Sequence, residues 1–379
     1  MKEIGIYVHI PFCKQKCYYC DFVSFAKMEQ FQDIYIKNLI KEIKSFKQTY
    51  KDFKISTIYI GGGTPSYIDA KYIKQILDTL TAGQDVASIK EITIEINPGT
   101  FIEEKLLEYK KAGINRISIG LQSADNKLLK EIGRIHNFED FLASYKSARK
   151  IGFENINLDL MIGLPNQTIS NIKGTLQEVI NLSPNHISVY SLILEENTML
   201  ENLVERGILS LPEETLERNM YWYVKDFLEL NGYEHYEISN FARHGFESKH
   251  NLDCWSQKEY IGFGIAAHSY LDGIRFSNTE NLQGYIKNCE NDCFDKNRTI
   301  HEKQTKLMQE KEFMLLGLRK IEGVLLQDFE SKFSENPIFL FRNEINKLVE
   351  EKLIKVDLDR IALTHKGLDL ANIVWEEFV

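Results

Sequence analysis

Six short runs rich in Ile and Val recur along the first half of the chain, each followed by an amphipathic stretch, and this alternation leaves few folds open. The runs are IGIYVHI (4–10), TIYIGG (57–62), EITIEI (91–96), RISIGL (116–121), INLDLMI (156–162) and HISVYSL (186–192). Helically spaced apolar residues separate them over 31–50, 67–80, 101–112, 138–151, 168–182 and 213–231. Near-continuous branched apolar runs suit strands covered on both faces, and strand–helix alternation predicts parallel βαβ units. Six units fall short of the eight that close a (β/α)8 barrel, so a partial, open (β/α)6 barrel is expected. The turns agree: Gly113 and Gly152 stand just past two predicted helices, and Pro98-Gly99 and Leu164-Pro165-Asn166 break the chain just after strands.

The pattern changes after about residue 233. Segment 234–302 shows no clear period, is rich in aromatics, Asn and Gly, and carries His235, His244, His250 and His268; an irregular connecting segment is expected there. From 303 the spacing becomes helical over 303–319, 324–333 and 337–352. The chain closes with two short strands around Asp357-Leu358-Asp359-Arg360. Helix–helix–helix–hairpin is the outline of a winged-helix module. The expected α/β chain thus divides into a partial barrel (1–233), a connecting segment (234–302) and a smaller α+β C-terminal module (303–379).

Composition restricts the partners. The net charge of −9 is opposite to what dependence on phosphate contacts would favour, which argues against nucleic acid. The winged-helix outline is therefore expected to pack or cover substrate rather than read DNA. No apolar run reaches eighteen residues, and MKEIGIYVHIPFC has neither a secretory apolar core nor a small-residue cleavage site. A cytoplasmic protein is expected, and peripheral contact with the inner face of a membrane is compatible with that.

Three of the six cysteines lie within eight residues, Cys13, Cys17 and Cys20, directly after the first predicted strand. Barrel active sites form at that carboxyl end. In a reducing compartment such crowding reads as metal binding rather than a disulfide framework. Cys-x3-Cys-x2-Cys on one loop can close three thiolates around a [4Fe–4S] cubane and leave one iron open. A zinc site would want a fourth ligand, for which His9 or a distant cysteine is the alternative. Phe12, Tyr18, Tyr19 and Phe22 flank the thiolates and would shield a cluster from solvent. Three consecutive glycines at 61–63 each cost ~0.5–1 kcal/mol relative to alanine, which suits close approach of backbone to a ligand.

With these motifs the chain resembles the radical S-adenosylmethionine superfamily, in its coproporphyrinogen-oxidase-like branch. The resemblance runs through YVHIPFC…C..CDF, GGGTP, EINPGT, GLQS and GLPNQT over residues 7–168, and later motifs extend it over nearly the whole chain. It implies that Cys13, Cys17 and Cys20 hold the cluster and that S-adenosylmethionine takes the open iron. It further implies cofactor contacts from Tyr7, Tyr19, Gly62, Gly63, Thr64, Glu95, Gln122, Arg134 and Asp159, the last three by likeness to a second cofactor molecule's site. For Arg134 and Asp159 a buried ion pair bracing the barrel is the alternative.

Two features separate the members of this branch. The oxidases carry a fourth cysteine two positions after the third and a longer arm before the cluster; here Asp21-Phe22 follow Cys20, and twelve residues precede Cys13. Both point to the haem chaperone group. His250-Asn251-Leu252-Asp253-Cys254-Trp255 resembles that group's HNxxYW haem signature, with Cys254 in place of tyrosine. The implied cargo is haem, with His250 as a ligand, haemoproteins such as respiratory cytochromes as recipients, and an electron donor for the cluster; a homodimer fits the same reading. The alternatives are a hydrogen-bonded structural His250, a coproporphyrinogen III oxidase, and a radical methyltransferase that opens the haem ring. Metal-free thiols are the expectation for Cys254, Cys289 and Cys293.

Overall fold

A computed structural model of the chain describes residues 2–50 and 52–379. The six predicted strands are present as β1 (Lys2–Ile10), β2 (Phe53–Gly62), β3 (Glu91–Ile96), β4 (Arg116–Gln122), β5 (Asn155–Ile162) and β6 (His186–Ser191). Each pairs in parallel with the next, in sequence order, so the partial (β/α)6 barrel is realised. All seven residues of β4 are buried, as expected for a strand covered on both faces.

The covering helices follow from local sequence. Helix α1 (Gln32–Thr49) buries Tyr35, Ile36, Leu39, Ile43 and Phe46. In α2 (Ala70–Thr81), Ile73, Ile76, Leu77 and Leu80 fall on one face at helical spacing. The Asp69 side chain accepts from the Lys71 N–H at 2.9 Å and starts that helix. Two short helices, Asn126–Glu131 and Met199–Glu205, were not expected, being too short to show a period.

Segment 234–302 corrects the expectation of irregular structure. It supplies six more strands: β7 (Glu234–Glu237), β8 (Asn240–Ala242), β9 (Tyr260–Phe263), β10 (His268–Leu271), β11 (Ile274–Asn278) and β12 (Arg298–Lys303). The twelve strands form one sheet, ordered β12-β11-β10-β9-β1-β2-β3-β4-β5-β6-β8-β7. The strands added after residue 233 thus flank the barrel strands on both sides. They are three to six residues long, so their identity comes from pairing, β9 with β1, β8 with β6 and the others with one another, rather than from any local period.

The C-terminal module has its own core, in which Phe313, Phe329, Phe333, Phe341 and Phe378 meet largely edge to face. Its three strands, Val324–Leu325, Ile354–Val356 and Arg360–Leu363, form a small antiparallel sheet with the last in the centre. The predicted helix over 337–352 is two, Pro337–Leu340 and Arg342–Glu350, broken at Phe341. No helix among the described residues is long and apolar enough to cross a membrane.

One buried carboxylate ties the added strands to the barrel. Glu42, on the inner face of α1, accepts from the Gly264 N–H at 2.9 Å, Asn278 Nδ2 at 2.7 Å and the Tyr285 hydroxyl at 2.6 Å. Removing it would take an acceptor from three buried donors, of which Asn278 Nδ2 alone keeps another, the Gly264 carbonyl at 2.8 Å. We therefore expect Glu42→Ala to destabilise the protein by about 3 kcal/mol or more, read as a lower midpoint in urea unfolding followed by circular dichroism.

Candidate functional site at the carboxyl ends of the barrel strands

A cavity of about 370 Å³ opens at the carboxyl ends of the parallel strands. Cys13, Cys17 and Cys20 line it, and so do Tyr19, Gly62, Gly63, Thr64, Glu95, Gln122, Arg134 and Asp159. The cysteine, GGGTP, EINPGT and GLQS motifs therefore converge on one space, whereas no residue of GLPNQT lines it. Tyr7 and His250 do not line it.

The cysteine loop is held by an extension of the β1–β2 ladder beyond the strands. The Gly63 N–H donates to the Ile10 carbonyl at 2.9 Å, and the Thr64 N–H to that of Phe12 at 2.9 Å. The Phe25 N–H donates to the Pro11 carbonyl at 2.7 Å, which returns the far end of the loop to its start. The three glycines serve this packing, each for its own reason. A Cβ on Gly61 would lie 3.0 Å from the Glu95 carboxylate, and one on Gly63 would lie 3.0 Å from Cys13 Sγ. At Gly62, where φ is +110°, a Cβ would sit 2.6 Å from the His9 ring. The glycine run thus admits protein atoms, namely a carboxylate, an imidazole and a sulfur.

His9 is the wedge between the two loops. Its Nε2 lies 2.8 Å from the Val23 carbonyl oxygen, which can only accept, so the proton is on Nε2. Nδ1 then accepts from the Tyr7 hydroxyl at 3.0 Å. Burial pushes the imidazole down to about 4, and it stays neutral. Tyr7 therefore reaches the site through His9, and His9 is a clamp rather than a metal ligand here.

A polar arc of residues distant in the sequence runs past Cys13 and Cys17. The Thr64 hydroxyl donates to Cys13 Sγ at 3.4 Å and accepts from Asn97 Nδ2 at 2.9 Å. Asn97 Oδ1 accepts from Arg134 Nη2 at 2.7 Å, and Arg134 Nη1 donates to Cys17 Sγ at 3.5 Å. Asn97 stands in the EINPGT run, and only its place in the fold reveals its role.

On the opposite wall, Glu95 accepts from the Tyr59 hydroxyl at 2.8 Å and from the Gly62 N–H at 3.2 Å. Burial pushes its carboxyl up to about 7, against the opposing pull of the Tyr59 hydrogen bond. Asp159 accepts from Ser118 Oγ at 2.8 Å and Asn157 Nδ2 at 2.7 Å, and burial raises it too. The ion pair between Arg134 and Asp159 is not formed: the guanidinium is taken by Asn97, the Gly120 carbonyl and Cys17 instead. Gln122, with φ of +64°, brings its side chain to the cavity with Oε1 buried and without a hydrogen-bond partner.

His250 is buried and hydrogen-bonded away from the cavity. It is buried on the helix Lys249–Trp255, below the amino-terminal halves of β1 and β2. Its Nδ1 lies 2.9 Å from Thr57 Oγ1. Glu91 accepts from the Lys249 N–H at 2.9 Å and the His250 N–H at 3.3 Å, which seats that helix. Burial pushes the Cys254 thiol up to about 12, so it is protonated at neutral pH; Cys289 is likewise pushed up to about 12.

Comparison with known proteins shows the family. The Radical SAM superfamily model matches residues 7–179, and the HemN C-terminal domain model matches residues 305–370. Over 378 residues the chain is 42% identical to the heme chaperone HemW of Lactococcus lactis, covering 100% of this chain and 98% of that one. The heme chaperone HemW of Bacillus subtilis is 40% identical over 374 residues, covering 98% of each chain. Among solved structures, coproporphyrinogen III oxidase from Escherichia coli superposes with a TM-score of 0.86 at 23% identity, over 100% of this chain and 90% of that one. That likeness is one of fold. With relatives of this identity along its whole length, the chain belongs to the heme chaperone HemW family of radical SAM proteins.

Proposed function

We propose that this protein is a haem chaperone that uses a [4Fe–4S] cluster and S-adenosylmethionine, and that it hands haem to haemoproteins. The observation that carries the reading is the coincidence of whole-length kinship with a cavity lined by three thiols, the Glu95 and Asp159 carboxylates and the Arg134 guanidinium. Cys13, Cys17 and Cys20 would hold the cluster, and three ligands leave one iron open. When bound, the cluster supplies one-electron reduction, for which an external donor is needed.

The remaining residues bind and orient the cofactor. The Glu95 carboxylate faces the cavity beside Gly62 and suits a cationic amine; the orphaned Gln122 Oε1 suits a second donor. Tyr19, Gly63, Thr64 and Arg134 line the cavity with the thiols, Arg134 donating to Cys17 Sγ, and Asp159 lines it as well. Asp21 and Phe22 line the rim after Cys20, where the oxidases of the branch carry a further cysteine. That supports carriage of haem over porphyrinogen oxidation. His250 enters the proposal as a haem ligand only if the Lys249–Trp255 helix leaves the barrel floor, because its ring is buried against Thr57.

Three measurements test this reading. Anaerobic incubation of reconstituted protein with haem, and separately with coproporphyrinogen III, should give a stable Soret complex and no protoporphyrinogen; porphyrinogen turnover would overturn the carrier assignment. Haem titration of His250→Ala should lose the Soret shift if the helix releases the ring, and an unchanged affinity would remove His250 from the ligand set. Because only ionised Glu95 can hold a cationic amine, affinity for S-adenosylmethionine should rise through pH 7 and be several-fold weaker at pH 6 than at pH 8. Glu95→Gln should bind weakly with no such pH dependence, as read by equilibrium dialysis.

A further inference from the structure

One side-chain amide connects two of the three sulfurs. Thr64 has a single hydroxyl hydrogen. With Asn97 Nδ2 donating to its oxygen at 2.9 Å, that hydrogen is free to point at Cys13 Sγ, 3.4 Å away. At the other end of the amide, Asn97 Oδ1 and the Gly120 carbonyl hold Arg134 Nη2 at 2.7 and 2.8 Å, which turns Nη1 toward Cys17 Sγ. The backbone that carries the amide is itself fixed, because the Asn97 main-chain N–H donates to Ser66 Oγ at 3.0 Å. Gly120 leaves the room required: a Cβ there would lie 2.9 Å from Asn97 Oδ1 and 3.0 Å from Arg134 Nη2.

We propose that Asn97 is a positioning residue for the cluster, directing one hydrogen bond onto Cys13 through Thr64 and another onto Cys17 through Arg134. This rests on the proposed cluster ligands. Hydrogen bonds to ligand sulfurs stabilise the more negative, reduced cluster and so raise its reduction potential. Only an amide can donate at one end and accept at the other in this arc. A carboxylate of the same shape accepts at both ends. The Thr64 hydrogen would then turn to the carboxylate and leave Cys13, and the guanidinium would be drawn away from Cys17.

The test is a redox titration of the reconstituted full-length protein, followed by the electron paramagnetic resonance of the reduced cluster, with iron and sulfide measured per chain. Asn97→Asp should keep its iron and titrate at a lower potential. At the poise that half-reduces the unsubstituted protein, its reduced-to-oxidised ratio should fall about tenfold, the loss of one charge-assisted hydrogen bond. In a Thr64→Val background the same substitution should shift the potential by clearly less. An unchanged potential at full iron content overturns the proposal, and equal shifts in both backgrounds overturn the route through Thr64. Should Asn97→Asp hold no iron, Asn97→Ala is read by the same two comparisons. Cys13→Ala runs alongside: its loss of iron upholds the ligand assignment, so a flat Asn97→Asp titration then counts against Asn97 alone.

Discussion

The arrangement of the site depends on how closely the loop after β1 can approach the loop after β2. Parallel pairing brings Ile10 opposite Gly62, so the two loops leave the sheet side by side. Neither could do so with a side chain on the second loop. The His9 ring occupies the space a Cβ would take at Gly62, and the Cys13 sulfur and the Ile10 and Pro11 backbone occupy that at Gly63. From behind, the Tyr35 hydroxyl of α1 donates to the His9 carbonyl at 2.8 Å and accepts from the Ile265 N–H at 3.2 Å. A helix, a histidine and a glycine run thus set the position of the first cysteine before any metal is considered.

The electrostatics of the cavity follow from keeping like with unlike at short range while leaving charges unspent. Glu95 and Asp159 are each satisfied by neutral donors, and Arg134 by neutral acceptors and a sulfur. Direct pairing of guanidinium and carboxylate would have cancelled the charges that a zwitterionic, cationic cofactor can use. Neutral hydrogen bonds satisfy burial at lower cost to function. The same rule governs the barrel floor, where Thr57 partners His250 and Asn157 partners His186 at 2.6 Å.

The floor also shows why a signature can be present without its expected geometry. The Lys249–Trp255 helix is seven residues long, starts on Glu91, and buries His250 in the core of the barrel. A helix of seven residues contributes little stability alone. Its seat under the barrel is a matter of tertiary packing. Nothing in the local pattern His-Asn-x-x-Cys-Trp distinguishes an imidazole facing solvent from one facing the lumen.

The barrel strands, their order and most of the helices were legible in the sequence because each rests on a local period: continuous apolar runs for the strands, three-to-four spacing for the helices. The cysteine spacing, the glycine run and the polar residues at strand ends were legible for the same reason, being neighbours in the chain. What depends on residues far apart was not. The strands of 234–302 are defined by pairing with β1, β6 and one another, and the glycines proved to be required by His9, Glu95 and Cys13 rather than by a ligand alone. Asn97 gained its place only when the ends of β2, β3 and β4 met, and Arg134 was turned from Asp159 to Asn97 by geometry that sequence spacing does not encode. Local chemistry determined which groups this protein carries; the packing of strand ends decided which of them touch, because hydrogen bonds select partners by distance in space and not along the chain.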